Sequence, residues 1–140
     1  MSKRLSWLSV LLARALLAGC ASDAAAAAPL SCPPQAPPAW RIADSHLEAV
    51  RVLAYMAGDT LDEDALPSGP PDREWRRNGL LYQSWAMNEG APPAVYQVDC
   101  LYSGTQRFLR LDASKVKRCL GRWRLREKQV VQGSLVFDCE

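Results

Sequence analysis

The chain has a single histidine, no closely spaced cysteine pair, no glycine-rich phosphate loop and no apolar run long enough to cross a bilayer. With His46 alone, most histidine-based acid–base and metal schemes are excluded. Gaps of 68, 19 and 20 residues between Cys32, Cys100, Cys119 and Cys139 supply none of the C-x-x-C pairs of a thiolate zinc site. Asp59, Asp62 and Asp64 lack the alternation around a central glycine that a calcium loop requires. Asp44-Ser45-His46 holds the three residue types of a hydrolase triad, but neighbours on an extended chain point to opposite faces and cannot assemble one. Asp62, Glu63 and Asp64 contain the paired carboxylates a glycosidase needs, yet three consecutive acids in a proline-bounded loop read as a solvated turn. The expectation is a protein that is not an enzyme and takes no cofactor or metal.

Bulk charge excludes a further class. Lys and Arg number 17 against 15 Asp and Glu. From residue 20 onward fourteen bases face fifteen acids, so a strongly basic nucleic-acid binder is not expected.

What is present begins with a leader. Lys3 and Arg4 precede the apolar run Leu5 to Leu17, which ends in Leu17-Ala18-Gly19-Cys20. A charged start, a short apolar stretch and small residues before a cleavage point describe a secretory signal. Thirteen residues are too few for a helix to cross a hydrocarbon core of ~30 Å. The tetrapeptide resembles the lipobox of bacterial lipoproteins, which implies a diacylglycerol on Cys20. Ala21 in the next position implies sorting to the outer membrane, and Arg14 departs from the pattern by placing a charge in the apolar stretch. The alternative is an ordinary signal cut within Ala24 to Ala28, giving a soluble periplasmic protein. Residues 1–19 are thus read as signal, 20–39 as a lipid-bearing Ala/Pro-rich tether, and 40–140 as one β-rich periplasmic domain.

Four cysteines remain after Cys20, and an even number in a small exported domain reads as two disulfides, with three pairings open. Cys119 and Cys139 lie on strand-like runs either side of a turn at Glu127–Gln129, so folding a hairpin there brings them together. Cys32 then pairs with Cys100.

From Val95 the pattern has period two. Tyr96, Val98, Cys100 and Tyr102 share one face, Gln106 to Leu111 continues beyond a Ser103-Gly104-Thr105 turn, and Val130 to Cys139 closes the chain. In Val116 to Arg126, Cys119, Gly121, Trp123 and Leu125 face one way, and Arg122, Arg124 and Arg126 the other. Leu80 to Met87 reads as another strand, carrying Trp85. Leu47 to Ala57 fits strand and helix equally. The fold class expected is mainly β: a small antiparallel meander or partly closed barrel with little helix and two disulfides.

Cys32-Pro33, Trp40, Trp85, Cys100-Leu101-Tyr102-Ser103-Gly104-Thr105, Cys119 and Cys139 occur in the order of a family of small exported proteins of Gram-negative bacteria, which the chain resembles over residues 31–140. That likeness implies a periplasmic, disulfide-pinned domain without assigned catalysis, makes Leu47 to Ala57 a strand, and suggests an immunity-type inhibitor of a toxin acting in the periplasm. Ser103-Gly104 also resembles the Ser-Gly-x-x-Tyr loop of periplasmic lysozyme inhibitors, but Arg107 stands where the tyrosine belongs.

Charge is segregated. Residues 44–74 hold eight acids and two bases, and residues 101–128 hold nine bases and two acids. Three things can offset the row Arg122, Arg124, Arg126: the acidic loop folding over it, anionic lipid or wall groups, or an acidic protein partner. Trp75, within Arg73-Glu74-Trp75-Arg76-Arg77, is the exposed anchor expected for a periplasmic protein partner. Asp59, Asp62, Glu63, Asp64, Trp75, Arg76, Arg122, Arg124 and Arg126 are therefore the candidate partner-binding residues, with the membrane reached through Cys20. Cells grown with labelled palmitate are expected to incorporate label into the wild-type chain and none into Cys20→Ser; an unlabelled wild type contradicts the anchor.

Overall fold

The computed structural model describes residues 29–59, 69–89 and 94–140. Nine strands occupy them: β1 Leu30–Ser31, β2 Leu47–Met56, β3 Arg73–Arg77, β4 Leu80–Ala86, β5 Ala94–Tyr102, β6 Phe108–Asp112, β7 Arg118–Arg126, β8 Gln129–Val130 and β9 Val136–Cys139. The one helical element among the described residues is a single 3-10 turn, Pro38–Trp40. All strand pairs are antiparallel. The larger sheet runs β1-β9-β7-β4-β3 with β8 attached to β7, and the smaller runs β2-β5-β6. The mainly β class and both disulfides are thus as expected, and the sheets do not close into a barrel.

The strands after Val95 do not follow one meander. β5 and β6 form a hairpin in the smaller sheet, and Ala113–Lys117 then carries the chain across to β7 in the larger one. Ala113 is fully buried at this crossing, and its N–H donates to the Tyr96 carbonyl at 3.0 Å. Period-two alternation states which face of a strand is apolar but not which sheet the strand joins, because each sheet buries one face in the same core.

That core lies between the inner faces. Val52, Val98, Cys100 and Tyr102 come from the smaller sheet, and Trp85, Cys119, Phe137 and Cys139 from the larger. Trp85 and Phe137 meet edge to face at 5.6 Å, and Trp123 packs half-buried at the margin. Tyr102 donates its hydroxyl to the Pro33 carbonyl at 3.1 Å, so the buried phenol keeps a partner. The segment read as tether is folded from β1 onward: Leu30 and Ser31 pair with Cys139 and Asp138, and Cys32 and Ala36 are buried. The hairpin β3–β4 turns on Asn78 and Gly79, both with positive φ (51° and 72°), the two-residue geometry whose twist matches that of strands.

A buried charge sits on the outer face of the smaller sheet, which alternation alone would leave wet. Asp99 is inaccessible, and register sets it directly between Arg51 on β2 and Arg110 on β6. Arg51 donates to Oδ2 through Nε (3.0 Å) and Nη2 (2.7 Å); Arg110 donates to Oδ1 through Nε (2.7 Å) and to Oδ2 through Nη2 (3.0 Å). Both guanidinium groups also lie over the Phe108 ring, at 5.3 and 4.9 Å. A carboxylate taken out of water in this way is held only because both oxygens are satisfied by charge-assisted bonds. Asp99→Ala leaves two half-buried cations facing each other and is expected to cost about 3–5 kcal/mol in urea unfolding. A loss below ~1 kcal/mol would show the triad to be incidental.

Candidate functional site

The outer face of the larger sheet gathers a row of arginines. On β7 the alternation that sends Cys119, Gly121 and Trp123 inward sends Arg118, Leu120, Arg122, Arg124 and Arg126 outward. Register extends that face across the sheet. Trp75, Tyr82, Arg122 and Val136 form one cross-strand row. Arg77, Leu80 and Arg124 form the next, and Arg73, Ser84, Leu120 and Asp138 lie on the other side. The face therefore carries Arg73, Arg77, Arg118, Arg122, Arg124 and Arg126, with Asp138 and Glu140 paired to two of them and Asp72 and Glu89 lining a depression beside Arg73 and Arg118.

The aromatic pair at its centre is ordered in advance. Trp75 stacks on Tyr82 with centroids 5.1 Å apart and planes within 3°. The Arg73 guanidinium lies 5.8 Å from the Trp75 ring. Trp75 remains 37% exposed and Val136 47%, so an arriving group meets apolar surface as well as charge. Arg122 pairs with Asp138 at 3.0 Å, and Arg118 pairs with Glu140. Arg73, Arg77, Arg124 and Arg126 have no carboxylate partner among the described residues.

Three depressions open on this same face. The first, of about 340 Å³, is bounded by Arg73, Trp75, Ser84, Arg118 and Leu120, with Asp72, Glu89 and Lys117 at its rim. A second of about 250 Å³ lies between Leu80, Arg122, Arg124 and Val136. The third, about 230 Å³, lies at Pro29, Arg118, Leu120 and Asp138.

Of the residues singled out from sequence, Trp75, Arg122, Arg124 and Arg126 are brought together here. Arg76 is exposed but alternates to the opposite side of β3, across from buried Leu81, and does not join Trp75. Asp59 closes a turn at the end of β2, accepting the Met56 N–H at 3.0 Å. Asp62, Glu63, Asp64 and Cys20 lie outside the described residues. The acids seen against the arginine row come from the C-terminal strand and its end, Asp138 and Glu140.

Arg73, Arg77, Tyr82, Arg118 and Val136 join the face without being among the candidates named from sequence. Arg73-Glu74-Trp75-Arg76-Arg77 carries too little apolar pattern to announce a strand, although the Asn78-Gly79 turn after it signals a hairpin.

The Asp44-Ser45-His46 stretch is structural. Ser45 Oγ accepts the Ala36 N–H at 3.0 Å, while His46 Nδ1 meets Ser103 Oγ at 3.1 Å and the same oxygen accepts the His46 N–H. These contacts clamp the β5–β6 turn to the start of β2. Shifted titrations also sit away from the arginine face: burial pushes the Tyr102 phenol up, and hydrogen bonds from the Ser114 hydroxyl and N–H hold the Asp112 carboxyl below its ordinary value. Among the described residues no three His, Cys, Asp or Glu side chains converge as a metal site would need.

No protein-family model, curated protein or solved structure matches the chain. Trp75→Ala is expected to cost about 1 kcal/mol of stability or less, the worth of an exposed stack, while Trp85→Ala costs about 3–5 kcal/mol. Equal losses in chemical unfolding would make Trp75 a packing residue and remove it from the docking face.

Proposed function

We propose that the chain is a non-catalytic binding module of the cell envelope, carried in the periplasm on lipid attached to Cys20, which docks an anionic partner on the arginine face of its larger sheet. The observation that supports this reading is the co-location of six arginines and a stacked Trp75–Tyr82 pair against four carboxylates, Asp72, Glu89, Asp138 and Glu140. Arginine presents paired N–H donors to carboxylate or phosphate, and the rings add contact area at little entropic cost. The two disulfides are compatible with an oxidising compartment outside the cytoplasm.

An immunity-type inhibitor is one form of this reading, with an acidic toxin surface docking on Trp75 and its neighbouring arginines, the residue types that dominate interface hot spots. Pull-down from whole-envelope extract, periplasm and membrane vesicles together, tests the proposal with wild type beside Arg122→Glu/Arg124→Glu. Bound material is expected to be lost from the variant and to weaken as ionic strength rises. Equal retention by both proteins contradicts it.

A further inference from the structure

We propose that the anionic partner of this face is the membrane itself: the larger sheet lies against the bilayer, with its arginines on lipid phosphates and Trp75 and Tyr82 at headgroup depth. The inference rests on the docking reading above and on the anchor at Cys20. It starts from where the chain enters the fold. Strand β1 pairs with β9 at one edge of the larger sheet, and Ser31 is registered with Asp138, whose carboxylate reaches Arg122 on the docking face. Nine residue steps separate Cys20 from Pro29, a contour of at most ~30 Å. A lipid at Cys20 thus keeps the edge of this sheet near the headgroups whatever else is bound.

Charge and composition then select the orientation. β7 alone carries arginines from Arg118 to Arg126, a length of about 26 Å at strand rise. Arg77, Arg124 and Arg126 project from it or from β3 without carboxylate partners among the described residues. Basic residues interleaved with Trp and Tyr are the composition of surfaces that sit at a membrane interface. Attraction acts within a Debye length of ~8–10 Å, a separation the short tether makes accessible.

Arginine footprinting distinguishes the outcomes. The protein exported by its own leader is purified, reconstituted into vesicles of phosphatidylcholine alone or mixed with phosphatidylglycerol, and treated with phenylglyoxal. Modification of Arg77, Arg124 and Arg126 is expected to slow about fivefold in the anionic vesicles, the equivalent of ~1 kcal/mol per base near a charged surface. High salt should restore the rate, and Arg76, on the opposite face of β3, should stay unchanged. Equal rates in both vesicle types, or slowing of Arg76 as large as that of Arg124, overturns the inference. Protection given by periplasmic extract and not by phosphatidylglycerol also overturns it, and leaves an acidic protein as the partner. The mass of the N-terminal peptide from the same sample reports the lipid on Cys20, so failure of the anchor is seen separately from failure of the membrane contact.

Discussion

Two covalent staples hold the sheets in one arrangement. Cys119 and Cys139 are direct cross-strand partners on β7 and β9, their Cα atoms 4.0 Å apart. Next to them Arg118 and Glu140 exchange both backbone hydrogen bonds, which makes the cysteine position the closer, non-bonded pair of the ladder. Cys32, just past β1 in the larger sheet, reaches Cys100 on the central strand of the smaller one. The second disulfide therefore ties the two layers together. Closing loops of 20 and 68 residues contributes about 3 and 4 kcal/mol in the chain-entropy account. Against a usual domain stability of ~5–15 kcal/mol, that is a large share for a chain with short strands and long connections.

The staples and the aromatic core all lie between the layers, and the far side of the larger sheet is not part of that core. Its outward positions on β7 hold four arginines in five, a pattern that would be destabilising if it had to be buried. The smaller sheet shows the contrast. Asp99 is buried on its outer face, and there two guanidinium groups are spent on one carboxylate. The Arg51–Asp99–Arg110 cluster on the smaller sheet is bonded internally and serves the fold. On the larger sheet, Arg73, Arg77, Arg124 and Arg126 have no carboxylate partner among the described residues.

The alternation of Cys119, Gly121, Trp123 and Leu125 against Arg122, Arg124 and Arg126 was legible from residue types alone, as was the pairing of cysteines across the hairpin. Gly121 shows how tight that inner face is, since an added Cβ would stand 2.9 Å from the Trp123 ring. The division of strands between two sheets was not legible, because inward residues of both sheets are equally apolar. Strand β3 escaped notice for a related reason: all five of its residues are exposed, so it has no apolar signature and is a strand only by pairing with β4. Asp99 was equally silent, since nothing local marks a carboxylate that will be flanked by Arg51 and Arg110 from strands distant in sequence.

Disulfide mapping of the exported protein under non-reducing conditions tests the account at its root. Peptides joining Cys32 to Cys100 and Cys119 to Cys139, with no free thiol among the four, are the expected result. A Cys100–Cys119 peptide, or four unpaired thiols in the native protein, would dissolve the two-layer arrangement and the free arginine face that depends on it.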